Sequence, residues 1–370
     1  MDQPNHSGDA SDPPLTLRQR LGLVPFLAKM PFAIAVGIFR ENKGRSWSRA
    51  TNIAAMRYVI CQKWDIHELR SFIGVNATQL YQAWALQEKR EVLTDILPEK
   101  AKLHWIGPRQ EGSQGRVFLF FFGGAFALPP RPDYFPFLHA LQKAVSASLG
   151  NFSVALLDHA MAPDNPFPTQ LSQANVALKH LLNKGIPPSN IILAGDSAGA
   201  NLVIQLAAHI LHPLPSISAP PTLTQPLAGA LLVSPWCIYN VDAPSYARNE
   251  KKDVLNTRTY SFIGDLAKKG VAPELQHYSE PISAPADWLK GMDNVYPRIL
   301  LTAGEEECPV DQAIQTKTIL SRYVRDTELV IEPGSVHGEV LIRFATNEGG
   351  VGGDWDTIVA FLSKSLAGGS

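Results

Sequence analysis

The chain has 370 residues, 45% of them hydrophobic and 18% charged, enough apolar material for one large α/β domain or two smaller ones. Lys+Arg 33 against Asp+Glu 34 leaves a formal charge of −1, which argues against a nucleic-acid or other polyanionic partner. Three scattered cysteines, Cys61, Cys237 and Cys308, form neither a disulfide framework nor a zinc spacing and fit a reducing, cytoplasmic compartment.

In chain order, the polar stretch MDQPNHSGDASDPP, residues 1–14, lacks the basic-then-apolar order of a secretory signal and reads as a disordered lead-in. Residues 21–39, LGLVPFLAKMPFAIAVGIF, are apolar for one bilayer span but carry Pro25, Lys29 and Pro31. Arg18 and Arg20 precede them, and Arg40, Lys43, Arg45 and Arg49 follow. Three readings stay open: a helical cap over a substrate pocket, an interfacial helix on a membrane such as the endoplasmic reticulum, or a true span. Residues 15–100 are expected to be a helical N-terminal region contributing to a cap, with Trp47, Tyr58, Trp64, Tyr81 and Trp84 as packing anchors.

Residues 101–370 read as an α/β domain. Apolar runs of strand length recur at 116–122, 152–158, 190–195, 228–234, 298–304 and 327–334. Their continuous rather than alternating apolarity predicts strands covered on both faces. Helix-length segments at 170–185 and 200–212 lie between them, so the expected fold is a doubly wound, mostly parallel sheet. Residues 212–226, with five prolines, read as a long surface connection, and about 246–288 as an inserted helical cap.

In such a sheet, ligands bind beyond the carboxyl ends of the strands. The third run ends in Gly-Asp-Ser-Ala-Gly, which places Ser197 at a sharp strand-to-helix turn; a bare G-x-S-x-G also arises by chance. A serine nucleophile needs a base within reach and a third group to orient that base. His337, in a small-residue loop after the sixth run, supplies the imidazole. The loop after the fifth run offers Glu305, Glu306, Glu307 and Asp311; Glu307 is preferred because the first two follow the strand too closely to reach across. Gly123, Gly124 and Ala125, ending the first run, together with Ala198 are expected to turn backbone N–H groups toward a developing oxyanion.

Taken together, these residues resemble the hormone-sensitive-lipase-like serine hydrolases of the α/β-hydrolase fold, over about residues 105–345. GDSAGAN is similar to that family's nucleophile turn, with Asp196 and Asn201 as its companions, and HAMAPDNPFPTQL at 159–171 resembles its Tyr-x-Leu-Ala-Pro-Glu…Phe-Pro segment, with His159 where tyrosine is usual. SPW at 234–236 and the Glu307…His337 pair fall in register. The stretch 178–213 looks especially like a fungal branch that includes steryl acetyl hydrolases and hydrolases of secondary-metabolite clusters, often with an apolar N-terminal helix. Two departures stand out. Phe122-Gly123-Gly124-Ala125 replaces the usual His-Gly-Gly-Gly, and a glutamate stands where aspartate is more usual.

The resemblance implies a carboxylic ester hydrolase with a Ser197, Glu307, His337 triad, acting on a small acyl or acetyl ester of a hydrophobic substrate without metal or cofactor. Phe122, Phe126, His159 and Trp236 are expected at the substrate site. Phe118, Phe120 and Phe121 are read either as drying that pocket or as sheet core. The second expectation keeps the same triad but directs it to intramolecular condensation, cyclisation or lactone closure. The third, a non-catalytic binding protein, predicts a broken triad. Membrane-surface contact through residues 21–39 is the other partner expected; the sequence leaves the oligomeric state open.

Overall fold

The computed structural model describes residues 15–41, 44–285 and 287–367. The 1–14 lead-in and Lys43 lie outside the described residues. Four helices come first, α1 (Leu17–Glu41), α2 (Trp47–Ile60), α3 (Ile66–Ile73) and α4 (Ala77–Gln87). Two short strands follow, β1 (Thr94–Ile96) and β2 (Lys102–Ile106). The alternating part then runs β3 (Arg116–Phe121), α5 (Tyr134–Leu149), β4 (Phe152–Asp158), α6 (Thr169–Asn183), β5 (Ile191–Asp196), α7 (Ala198–Leu211) and β6 (Gly229–Val233). Next come α8 (Pro244–Asn249), α9 (Thr257–Lys268), α10 (Gln276–Ser279), β7 (Arg298–Gly304), α11 (Val310–Leu320), β8 (Asp326–Glu332), α12 (Glu339–Ala345) and α13 (Gly353–Ala367).

The sheet has eight strands in the order β1-β2-β4-β3-β5-β6-β7-β8. From β4 through β8 all neighbours are parallel, whereas β2 pairs antiparallel with β4 and with β1. Sequence reading misses β1 and β2 because they are short and partly polar; β2 draws its apolar partners from β4. The β3 pattern shows why the central strands look uniformly apolar. Phe118 and Phe120 enter a core with α5 and α13 on one face, while Val117, Leu119 and Phe121 enter a core with α6 and α7 on the other. Each such fully buried phenylalanine contributes about 1.5–3 kcal/mol. Of the two readings open for Phe118, Phe120 and Phe121, sheet core is the one the structure bears out. The last strand departs from expectation. β8 lies at the sheet edge, and much of it is only half-buried.

The N-terminal helices are pinned over the strand ends by arginines. Arg45, just before α2, donates to Glu306 at 2.9 Å and to the Gly334 carbonyl. Arg49 of α2 pairs with Glu339, Arg57 of α2 reaches the Asp253 carbonyl, and Arg70 of α3 donates to the Ala127 carbonyl at 2.6 Å. Arg45 and Arg49 therefore face the protein and do not form an exposed basic flank.

Two of the expected anchors, Tyr81 and Trp84, are buried against α5, and Tyr58 and Trp64 are half-buried against Phe26. Trp47 is a correction: it is 61% exposed and meets Phe39 edge-on, because position 47 starts α2 on its outer side. Helix α1 packs on α2, with Gly37 against the Ala54 methyl and Phe26 stacked on Tyr58 at 5.0 Å. Leu21, Val24, Leu27, Phe32, Val36 and Phe39 on its other faces are exposed. Its Gln19–Phe39 segment is long and apolar enough to cross a membrane.

Candidate active site

Strand β5 passes directly into α7 through Ser197, which adopts φ 53° and ψ −118°. That strained conformation survives only where neighbours over-determine it. The Ser197 amide donates to the Val233 carbonyl at 2.9 Å, and its carbonyl accepts from the Trp236 amide at 3.2 Å. The flanking glycines are sterically required. A Cβ on Gly199 would sit 2.0 Å from the Phe121 carbonyl oxygen, and one on Gly195 would sit 2.3 Å from the Gly199 carbonyl carbon. The close approach at Gly199 brings the end of β3 against the serine turn.

His337 lies between β8 and α12, with its Nε2 2.9 Å from Ser197 Oγ and its Nδ1 2.9 Å from Glu307 Oε2. Glu307 is fully buried, and His337 nearly so. A carboxylate beside Nδ1 fixes the proton there, so Nε2 is left to accept from the serine hydroxyl. Burial opposes the imidazolium, but the Glu307 hydrogen bond and charge, with Asp253 and Asp196 behind them, outweigh it and hold His337 above its ordinary value. Burial pushes the Glu307 carboxyl up from the usual carboxylate range, against the pull of His337.

The other acids of the loop are occupied elsewhere. Glu305 accepts from the Gly334 amide at 2.9 Å, Glu306 pairs with Arg45, and Asp311 pairs with Arg248 at 2.8 Å.

One expected oxyanion donor is not available. The Gly123 amide donates to Asp196 Oδ1 at 2.8 Å and lies 3.3 Å from the Tyr134 hydroxyl, so it faces the protein. Tyr134 also donates to Asp196 Oδ2 at 2.5 Å, and burial pushes the Asp196 carboxyl up. Asp196 thereby ties the glycine turn to the serine turn. Among the described residues, no acceptor engages the amides of Gly124, Ala125 or Ala198. Ala125 and Phe126 both have positive φ, 56° and 58°, a strained turn that keeps this stretch of backbone from continuing the strand.

The four residues expected at the substrate site divide. Phe122 is buried, and its ring stacks at 4.1 Å on His159, the residue that stands where the family usually has tyrosine. His159 Nε2 is 3.3 Å from the Phe122 carbonyl, and burial lowers the basicity of this imidazole. Trp236 is fully enclosed against Tyr239, with no exposed surface to offer a ligand, and its amide donates to the Ser197 carbonyl. Phe126 lines a small cavity with Phe167, Gln205, Tyr239 and Ser279.

Three further residues complete the surroundings, Ser234 of the SPW motif and two that sequence reading does not single out, Asn249 and Asp253. Ser234, at φ 44° after β6, accepts from the Gly338 amide at 3.0 Å. Asn249 donates to the Glu305 and Glu307 carbonyls at 3.0 and 2.8 Å. Asp253 accepts from the His337 amide. All are joined to the site across tens of residues, and no local motif marks Asn249 or Asp253.

A mostly parallel sheet with a strained serine at a strand-to-helix turn and a Ser–His–Glu array at the strand ends defines an α/β hydrolase. A family model described as alpha/beta hydrolase fold matches residues 118–341, and the chain belongs to this family. It is 28% identical over 214 residues to an acetyl-hydrolase of Streptomyces hygroscopicus, covering 56% of this chain and 62% of that protein. It is 30% identical over 134 residues to human hormone-sensitive lipase, covering 34% of this chain and 12% of that one. The chain thus spans less than two thirds of the length of either relative. The crystal structure of an esterase from the bacterial hormone-sensitive lipase family matches with a TM-score of 0.64 at 21% identity, covering 87% of this chain and 99% of its own.

Proposed function

We propose that the chain hydrolyses a carboxylic ester through Ser197, His337 and Glu307. The observation that carries this reading is the imidazole bridging the serine oxygen and a buried carboxylate, 2.9 Å from each. His337 Nε2 takes the hydroxyl proton as Ser197 Oγ adds to the ester carbonyl carbon. Glu307 stabilises the imidazolium that results. The amides of Gly124, Ala125 and Ala198 receive the oxyanion, each donor worth about 3 kcal/mol of transition-state stabilisation. The imidazolium then protonates the departing alcohol, and water, activated by the same nitrogen, cleaves the acyl-enzyme.

The substrate is a small acyl ester, acetyl in the first instance, of a hydrophobic alcohol. The name of the Streptomyces relative supports the acetyl group. Phe126, Phe167 and Ala267 beside one small cavity support the hydrophobic partner, with Ala267 and Ser279 of the 246–288 insertion on the same cavity wall. The exposed apolar face of α1 supports attachment to a lipid surface, so the ester would be met at a membrane.

The test is covalent. A fluorophosphonate labels the wild type on Ser197 and leaves Ser197→Ala unlabelled, and turnover of p-nitrophenyl acetate falls at least about 10⁴-fold in that variant. Labelling of the variant would overturn the reading. Ring closure of a tethered-nucleophile substrate with no loss of acyl groups to water would instead favour intramolecular transfer.

A further inference from the structure

The inserted segment between β6 and β7 contributes a buried carboxylate that the chemistry above does not use. Asp253 lies between α8 and α9 and is fully enclosed. Its Oδ1 accepts from the His337 amide at 3.0 Å and the Val254 amide at 2.7 Å. Its Oδ2 accepts from the Cys308 amide at 2.7 Å and the Tyr260 hydroxyl at 3.2 Å. One carboxylate thus holds the backbone of the residue that bears the imidazole and the backbone next to Glu307. The two loops come from different strands, β8 and β7; the Glu305 and Glu306 amides join them through the Glu332 and Ser335 carbonyls, and Asp253 adds a clasp beside the two side chains themselves.

The segment's grip extends further. Asn249, four residues earlier, holds the Glu307 carbonyl, and Arg57 of α2 holds the main chain at Asp253 and Glu250. Tyr260 closes the side facing the site, its ring edge-on to His337 at 5.9 Å. A carboxylate with four donors in a dry site is both rigid and costly to disturb, because each amide left unpaired costs about 1–3 kcal/mol.

We propose that Asp253 is a positioning residue: its carboxylate clasps the His337 loop to the Glu307 loop and so sets the geometry of the histidine–acid hydrogen bond. The proposal rests on the reading of Ser197, His337 and Glu307 as the reacting array. It also gives the inserted segment a part in the chemistry beyond covering the substrate.

The test is Asp253→Asn. A carboxamide offers one acceptor oxygen and turns N–H toward the other backbone donor, so one loop loses its partner. The expected result is a kcat about 10–100-fold lower with KM changed less than about twofold, the pattern of a supporting group that acts in the transition state. The far-downfield proton resonance of His337 Nδ1, assigned through its loss in His337→Gln and read without substrate, should move upfield or broaden away. A folded Asp253→Asn protein with the wild-type resonance overturns the proposal whatever its rate.

If Asp253→Asn does not fold, Tyr260→Phe removes a single donor from the same carboxylate. It should shift the resonance in the same direction and lower kcat about 2–5-fold, as loss of one neutral hydrogen bond does. An unchanged resonance there overturns the proposal equally. Absence of ester turnover by the wild type would overturn the hydrolase reading, while the resonance still decides the clasp.

Discussion

Two helices of this chain, α1 and α7, are both apolar on nearly every side, yet they meet opposite fates. Every residue of α7 from Ala198 to His209 is buried between the sheet, α6 and the inserted segment. No residue in the most apolar stretch of α1 is buried, and Phe32 and Phe39 stand in solvent at 76% and 79% exposure. The difference comes from how each helix is tied to the rest of the protein. β5 delivers α7 onto the sheet through a turn with no slack, so its apolar surface has only the core to enter. α1 is held along one side by Phe26 and Gly37, while Leu21, Val24 and Phe32 on its other faces stay exposed. Apolarity sets a demand for cover, and connectivity decides whether protein or another phase supplies it.

The contrast breaks most sharply at Gly199. A methyl there collides with the Phe121 backbone, which cannot yield, so Gly199→Ala should lose more than about 4 kcal/mol of stability in a denaturant titration. Unfolding at the wild-type midpoint would show that the α7 turn has slack after all.

The next effect lies at the far side of the array. Glu307→Gln should lower kcat about 10³–10⁴-fold with the fold intact, since the wrong histidine tautomer becomes available. The pH dependence gives its sign. Glu307 is the main influence raising His337, so wild-type kcat/KM should rise only as pH passes a value above the ordinary histidine range, when the base becomes neutral. Without the acid's charge the imidazole ionises at lower pH, and the acidic limb of residual activity should move down; a limb that stays put would remove Glu307 from the array.

The smallest expected stability change is in α1. Phe32→Asp should alter the unfolding free energy by less than about 0.5 kcal/mol, because an exposed ring leaves no cavity behind. The same change should abolish co-sedimentation with phosphatidylcholine vesicles while leaving hydrolysis of a soluble ester within about twofold. Loss of the fold instead would mean that α1 is covered by protein in solution.

Much of the architecture was legible because local chemistry carries it. The runs at 116–122, 152–158 and 298–304 are strands for the reason expected, being apolar on both sides of the chain, and Ser197, His337 and Glu307 meet because each follows a strand whose end points the same way. What escaped is held by partners far away in sequence. β2 is a strand because β4 offers it an edge. Gly123 is unavailable because a carboxylate 73 positions on, at Asp196, takes its amide. Trp47 looks like core until the orientation of α2 turns it outward.

The sequence by itself determined that this chain would bury a parallel sheet and present an alcohol, an imidazole and a carboxylate at its strand ends, since residue type and spacing act locally and survive any surroundings. Only the tertiary structure decided which amides remain open, which of four neighbouring acids faces the histidine, and that Asp253 in a distant insertion would hold the two loops together. Hydrogen bonds between remote loops depend on distances that no short stretch of chain encodes.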